Sequence, residues 1–283
     1  MQRKLNIDTF SPALLKIEDN NRFTKGIALS YRRIIDSFDP ILSSVGKKYF
    51  EEHETNNIDL HPLATSIAVM ISEPFGSFDR ATIHQAAIAN LCFDHFTHLV
   101  DDATDERNEN ASLSIHLSNH LLTKGLRYSM DLCKNYRDYY QRWEKYMDYA
   151  FDGERYLWRH HKKLESYEER DFEMLAKRGS LVKVCAAIFA ELSGKWELLD
   201  NVEKGLDNLS VALQLVDDLV DWKCDLNNSI YNYPIVLACK AISESVPNYI
   251  NKDIYEEEIF SPPGCCSHLK KSNVPSRRRK KMF

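Results

Sequence analysis

The stretch LQLVDDLVDWKCD, residues 213–225, decides how this chain folds. Asp217, Asp221 and Asp225 stand four and eight positions apart. On a helix of 3.6 residues per turn this spacing puts them on one face, about 6 Å per step. Asp218 sits beside them, and Leu213, Leu215, Val216, Leu219, Val220 and Trp222 fill the turns around them. Like charges at i,i+4 destabilise a helix by roughly 0.2–0.5 kcal/mol per pair. Beside apolar neighbours the cost is far larger unless a cation is shared. Hard carboxylate oxygens in this arrangement suit Mg2+, which takes one or two carboxylates together with substrate phosphates and water.

A second stretch poses the same problem. AAIANLCFDHFTHLVDDATD, residues 86–105, runs from an apolar helical pattern into Asp101, Asp102 and Asp105. Asp101 and Asp105 are i,i+4, and His98 and Asp94 lie one and two turns upstream. Ala86, Ala87, Ile88, Leu91 and Phe96 make this helix largely core. The carboxylates therefore belong at the mouth of an oily bundle. Two such clusters across a cavity would hold metal ions between them, and the natural ligand is a diphosphate with a hydrocarbon tail. The competing reading, acidic helix ends on a wet surface, fits one cluster better than two. A calcium loop is disfavoured, because neither cluster has the central glycine and twelve-residue spacing.

The rest of the chain agrees with an all-α, single-domain bundle. Proline and glycine number nine each in 283 residues, and the long stretches between them carry 3.6-residue periodicity. Helices are expected over 23–36, 62–73, 79–102, 112–126, 128–164, 168–194, 198–225 and 232–245. The expected organisation is an N-terminal segment 1–22, a helical domain 23–247 and an irregular basic tail 248–283. The formal charge of -5 gives no overall pull toward nucleic acid. No stretch approaches the 18 apolar residues of a membrane span, and the start lacks the apolar core of a secretory signal. The seven cysteines show no metal-like spacing over most of the chain; Cys92, Cys133, Cys185, Cys224 and Cys239 fall inside expected helices and read as buried thiols in a reducing, cytoplasmic setting. The tail SPPGCCSHLKKSNVPSRRRKKMF, 261–283, reads as solvated; basic runs of this kind bind phosphate-bearing surfaces or act as nuclear addresses.

With both acidic clusters in view, the chain resembles the class I isoprenoid synthases. THLVDDATD, 97–105, is similar to their first aspartate-rich motif, and LQLVDDLVDWKCD to their second. Gln214, Asp217, Asp218 and Asp221 fit the prenyltransferase form FQxxDDxxD. Asp217, Asp221 and Asp225 also fall where terpene cyclases place three ligands four apart. The resemblance spans roughly residues 25–245. It implies the all-α class I fold, a prenyl diphosphate substrate and Mg2+, three ions in number. The implied metal ligands are Asp101, Asp102, Asp105, Asp217, Asp221 and Asp225.

Which branch of the family is a question of cations. Chain-elongating relatives carry a GKxxRP-like segment near the start and an RRG after the first motif, which help hold two diphosphates. Here VGKKYF keeps Lys47 and Lys48 without the arginine, and Arg107 stands alone. Lone lysines replace an arginine fork poorly. The sequence therefore points to a terpene synthase, a lyase that ionises farnesyl or geranylgeranyl diphosphate alone. A prenyl diphosphate synthase that condenses an allylic diphosphate with isopentenyl diphosphate is the alternative. An inactive bundle serving as a regulatory subunit is a third reading.

The remaining candidates surround the diphosphate. Arg170, Lys177 and Arg178 lie in YEERDFEMLAKRGSLVK, 167–183, where KRGSL is similar to the prenyltransferase KTxxL segment. Arg170 precedes Asp217 by 47 residues, near the spacing of the cyclases' sensor arginine. Gly179 and Ser180 weaken the helix where both branches bend theirs. Lys223 is a further donor, and Phe96, five residues before Asp101, limits pocket depth. In the mechanism this implies, metal ions and these cations take up the leaving-group charge while an apolar, aromatic cavity shelters the carbocation. No late Arg-Tyr pair is visible to close the pocket. Closure is left to a partner subunit, as in a homodimer, or the cavity stays open on one side.

Overall fold

Ile27, Tyr31, Ile34 and Ile35 recur at i, i+4, i+7 and i+8, and this stripe is the buried face of the first helix, α1 (Ile17–Asp36). A computed structural model describes residues 17–54, 62–105, 111–133 and 135–242. Nine further α-helices follow among them: α2 (Pro40–Glu54), α3 (Pro62–Phe75), α4 (Arg80–Asp105), α5 (Ala111–Met130), α6 (Tyr136–His160), α7 (Glu169–Arg178), α8 (Lys183–Ser193), α9 (Leu199–Asn227) and α10 (Tyr233–Ile242). Single 3-10 turns occupy Ser180–Val182 and Trp196–Leu198. No strand occurs among the described residues, so the all-α expectation holds.

The chain forms two compact units. Among the described residues, the first comprises those from 17 to 153 and from 176 to 210, the second those from 154 to 175 and from 211 to 242. In the first unit α4 is the centre and packs against α1, α3, α5 and α8. Its residues from Ala86 to Phe93, the polar Asn90 among them, are all buried, in keeping with the expectation that this helix is largely core. Close approach of α5 depends on Gly125: a Cβ there would stand 3.0 Å from Phe93 Cε1 and 3.1 Å from the Ala89 carbonyl oxygen. The helix starts are chemically marked. Asp39 Oδ1 accepts the N–H groups of Ile41 at 2.9 Å and Leu42 at 3.2 Å, with Pro40 at the first helical position. Asp79 caps α4 through the N–H of Thr82 at 2.7 Å, and this bond lowers its carboxyl pKa. α8 is buried from Lys183 to Ala190 and ends on Gly194 in the left-handed conformation, φ 69°. The second unit has its own small core of Trp222, Leu226, Ile235, Ala238 and Cys239.

Several boundaries differ from the sequence reading. α2 was not expected; its start carries an Asp-Pro signal that the lysine-rich stretch obscured. The expected helix 128–164 is broken: α5 continues to Met130, turns close through Leu132 and Cys133, and α6 begins at Tyr136. Neither glycine nor proline marks that turn, so the pattern runs through it unbroken. The expected helix 168–194 is interrupted at Ser180–Val182, at the Gly179–Ser180 weak point. A Cβ on Gly179 would collide with the Ser210 side chain.

Candidate active site

Each unit carries one acidic motif. In the first unit Asp101 sits in the last turn of α4, where the apolar stripe gives out and the side chain is half-buried. Arg178 Nη2 donates to Asp101 Oδ2 at 2.8 Å. Asp102 and Asp105 belong to the same turn of α4, but their side chains lie outside the described residues, as does the whole of Arg107. Arg178 and Lys177 close α7, where helix carbonyls favour cations. Lys177 Nζ lies 5.3 Å from the centre of the Tyr149 ring. Phe96 is 7% exposed and belongs to the main core. Among the other aromatics of α6, Tyr139 and Tyr146 are wholly buried, whereas Phe151 and Trp158 are exposed.

In the second unit α9 turns its four aspartates in two directions. Asp217 and Asp221 are exposed, one turn apart. Asp218 is 4% exposed, and its Oδ1 accepts from Gln214 Nε2 at 2.9 Å. Asp225 is half-buried, and its Oδ2 accepts from Asn232 Nδ2 at 2.6 Å. Asn232 is itself buried and also donates to the Asp218 carbonyl at 3.3 Å, while its Oδ1 accepts the Ile235 N–H at the start of α10. The sequence reading passed over Asn232; its signal is an Asn two residues before Pro234, the cap position of the next helix. Arg170 lies with its guanidinium 5.1 Å from the Tyr156 ring centre, and Lys223 Nζ lies 5.3 Å from that of Trp222.

The donor set suits Mg2+. The exposed acidic groups of the second motif are hard carboxylate oxygens, with the exposed Cys224 thiol one turn beyond Asp221 and no imidazole in the motif. No group of three or more potential ligands is assembled among the described residues. Mg2+ does not require one, since it commonly binds one or two carboxylates and completes its shell with phosphate and water. None of the described helices is long and apolar enough to cross a membrane.

No protein-family model and no curated protein sequence matches the chain. Solved structures do. The heptaprenyl diphosphate synthase of Staphylococcus aureus is similar with a TM-score of 0.63 at 18% identity, over 84% of this chain and 82% of that one. A decaprenyl diphosphate synthase from Rhodobacter capsulatus gives 0.69 at 15% identity, over 88% and 84%. The geranylgeranyl pyrophosphate synthase of Lactobacillus brevis gives 0.66 at 14% identity, over 86% and 82%. These neighbours overturn the terpene synthase expectation and its lyase chemistry: all three are prenyl diphosphate synthases. The expectation of a cyclase drew on the arginine missing after Lys47 and Lys48 and on Arg107 standing alone; Arg107 lies outside the described residues. Both lysines prove to be exposed residues inside α2, and Lys47 is paired with Asp36 at 2.7 Å. That stretch is thus a helix with its own ion pair and gives no measure of whether a second diphosphate can bind. The chain has the all-α fold of the class I isoprenoid synthases.

Proposed function

We infer that this protein is a Mg2+-dependent prenyltransferase of the trans-prenyl diphosphate synthase type. It would join an allylic diphosphate to isopentenyl diphosphate and release diphosphate. The observation that carries this reading is the shared fold with three prenyl diphosphate synthases, combined with a carboxylate turn in each acidic motif. Asp101, Asp102 and Asp105 in α4, and Asp217 and Asp221 in α9, are the residues that would hold Mg2+. Bound Mg2+ supplies neutralisation of the diphosphate leaving group, the main barrier to breaking the allylic C–O bond.

The chain's own side chains do the rest. Lys177 and Arg178 provide charge-assisted hydrogen bonds to diphosphate oxygens, each worth about 1.5–3 kcal/mol. Arg170 adds a cation in the second unit. Gln214 Nε2 donates to Asp218 at 2.9 Å and, more weakly, to Asp217 Oδ2 at 3.4 Å, and Asn232 holds Asp225; the carboxylates of Asp217 and Asp221 remain the exposed pair. Lys223, beside them on α9, is a further donor toward the diphosphate. Phe96, in the core five residues before Asp101, limits the depth available to the growing chain.

Diphosphate release tests the reading. With allylic substrate, isopentenyl diphosphate and Mg2+, wild-type protein should release diphosphate, and omitting the acceptor should stop it. Asp217→Ala should abolish release while the helical circular dichroism stays unchanged. Release that persists without the acceptor, or in the Asp217→Ala protein, would refute the assignment.

A further inference from the structure

Behind the second acidic motif lies a group of buried polar atoms, all within the second unit. Asp171 is 2% exposed. Its Oδ2 accepts the Glu168 N–H at 2.6 Å, and its Oδ1 accepts the Tyr156 hydroxyl at 3.0 Å. His160 Nδ1 lies 3.4 Å from the same Oδ1. A ring that turns Nδ1–H toward a carboxylate presents Nε2 as a lone-pair acceptor. That Nε2 is buried and has no protein partner among the described residues.

The Tyr167 ring meets His160 edge-on at 5.1 Å and Tyr233 at 5.3 Å. Its hydroxyl is likewise buried without a protein partner among the described residues. Burial first, and then the charges of Asp218, Asp171 and Asp225, push the phenol pKa up, so the O–H keeps its proton and is a donor. A buried donor or acceptor left unmatched costs about 1–3 kcal/mol. In native proteins such groups are usually joined by ordered water with about three partners. The neighbourhood is specific. Tyr233, on which Tyr167 packs, follows directly on Asn232, which holds the Asp225 carboxylate and the Asp218 carbonyl.

We propose that Tyr167 is a positioning residue for the second acidic motif: its O–H donates to one buried water, which donates in turn to His160 Nε2 and to the Asp218 carboxylate. Asp171 fixes the His160 ring, the water fixes Asp218 on the inner face of α9, and Asp217 and Asp221 are thereby presented outward. The inference rests on the reading of Asp217 and Asp221 as metal ligands.

Mn2+ binding to the full chain in the presence of inorganic diphosphate, followed by electron paramagnetic resonance, tests it without turnover. Tyr167→Phe removes only the hydroxyl and should weaken Mn2+ binding about tenfold, the scale seen for groups that orient metal ligands. Its thermal melt should match wild type. His160→Phe, which removes the water's acceptor, should weaken binding in the same direction. Ser129→Ala removes a buried hydroxyl in the first unit, bonded to the Gly125 carbonyl at 2.7 Å, and should leave Mn2+ binding unchanged. Wild-type affinity in either Tyr167→Phe or His160→Phe overturns the proposal, as does an equal loss in Ser129→Ala, which would signal general loosening. If wild-type protein binds no Mn2+ with diphosphate present, the metal reading itself fails, and the proposal with it.

Discussion

The contact between Arg178 and Asp101 makes a quantitative prediction. Arg178 Nη2 lies 2.8 Å from Asp101 Oδ2, and the two side chains are 30% and 28% exposed. Fully exposed ion pairs contribute about 0.2–1 kcal/mol, and charge-assisted hydrogen bonds away from water about 1.5–3 kcal/mol. A pair with about a third of each side chain in solvent falls between, so a coupling energy of about 1 kcal/mol is expected. Urea unfolding of wild type, Arg178→Ala, Asp101→Ala and the double variant forms the cycle that isolates it. In the proposed mechanism both groups have other work once substrate arrives: Asp101 turns to metal and Arg178 to diphosphate. The coupling should therefore fall below about half its value when Mg2+ and inorganic diphosphate are added. A coupling near zero without ligand, or one unchanged by Mg2+ and diphosphate, would refute the claim that these two residues belong to the ligand site.

Two further outcomes follow from the first unit and from the buried thiols. Lys183 is 5% exposed, with its ammonium 2.5 Å from Asp207 Oδ1; Asp207→Ala should cost roughly 3 kcal/mol by stranding a buried cation, whereas Lys183→Met should stay within about 1 kcal/mol of wild type, both read by urea denaturation. Burial raises the thiol pKa values of Cys92 and Cys185 and pushes that of Cys133 up to about 12, so all three stay protonated and should resist alkylation from pH 7 to pH 9, while Cys224, the exposed thiol among the described cysteines, is modified ahead of these three, as mapped by peptide mass spectrometry.

The fold was legible where periodicity is strong and turns are marked. α4, α9 and α10 begin close to their expected positions, and at α4 and α10 an apolar stripe coincides with a capping residue, Asp79 and Asn232. The break between Met130 and Tyr136 was invisible, since a turn without glycine or proline leaves the hydrophobic pattern intact. The acidic residues could be named from spacing, but their division of labour could not. Helical spacing places Asp217, Asp221 and Asp225 on one face, yet Asn232, seven positions beyond Asp225, draws that last aspartate inward. Such a contact depends on how the chain reverses after Asn227, and no local pattern encodes it. Asp171 escaped notice for a related reason. An aspartate in the first turn of a helix reads as an exposed partner of the helix dipole, whereas here it is buried beneath Tyr156 and His160. The choice between cyclase and elongator turned on arginines that the sequence lacks, and absence from one register says little when the segment itself proves to be a helix.

The most direct test of the account is the chain length of the product. Purified protein is incubated with geranyl, farnesyl or geranylgeranyl diphosphate and Mg2+, with and without isopentenyl diphosphate, and the products are resolved by chromatography with mass detection. The account predicts longer prenyl diphosphates only when the acceptor is present, and none after chelation of Mg2+. Cyclic hydrocarbons or terpene alcohols formed from the allylic substrate alone, with no elongated product in any mixture, would contradict it.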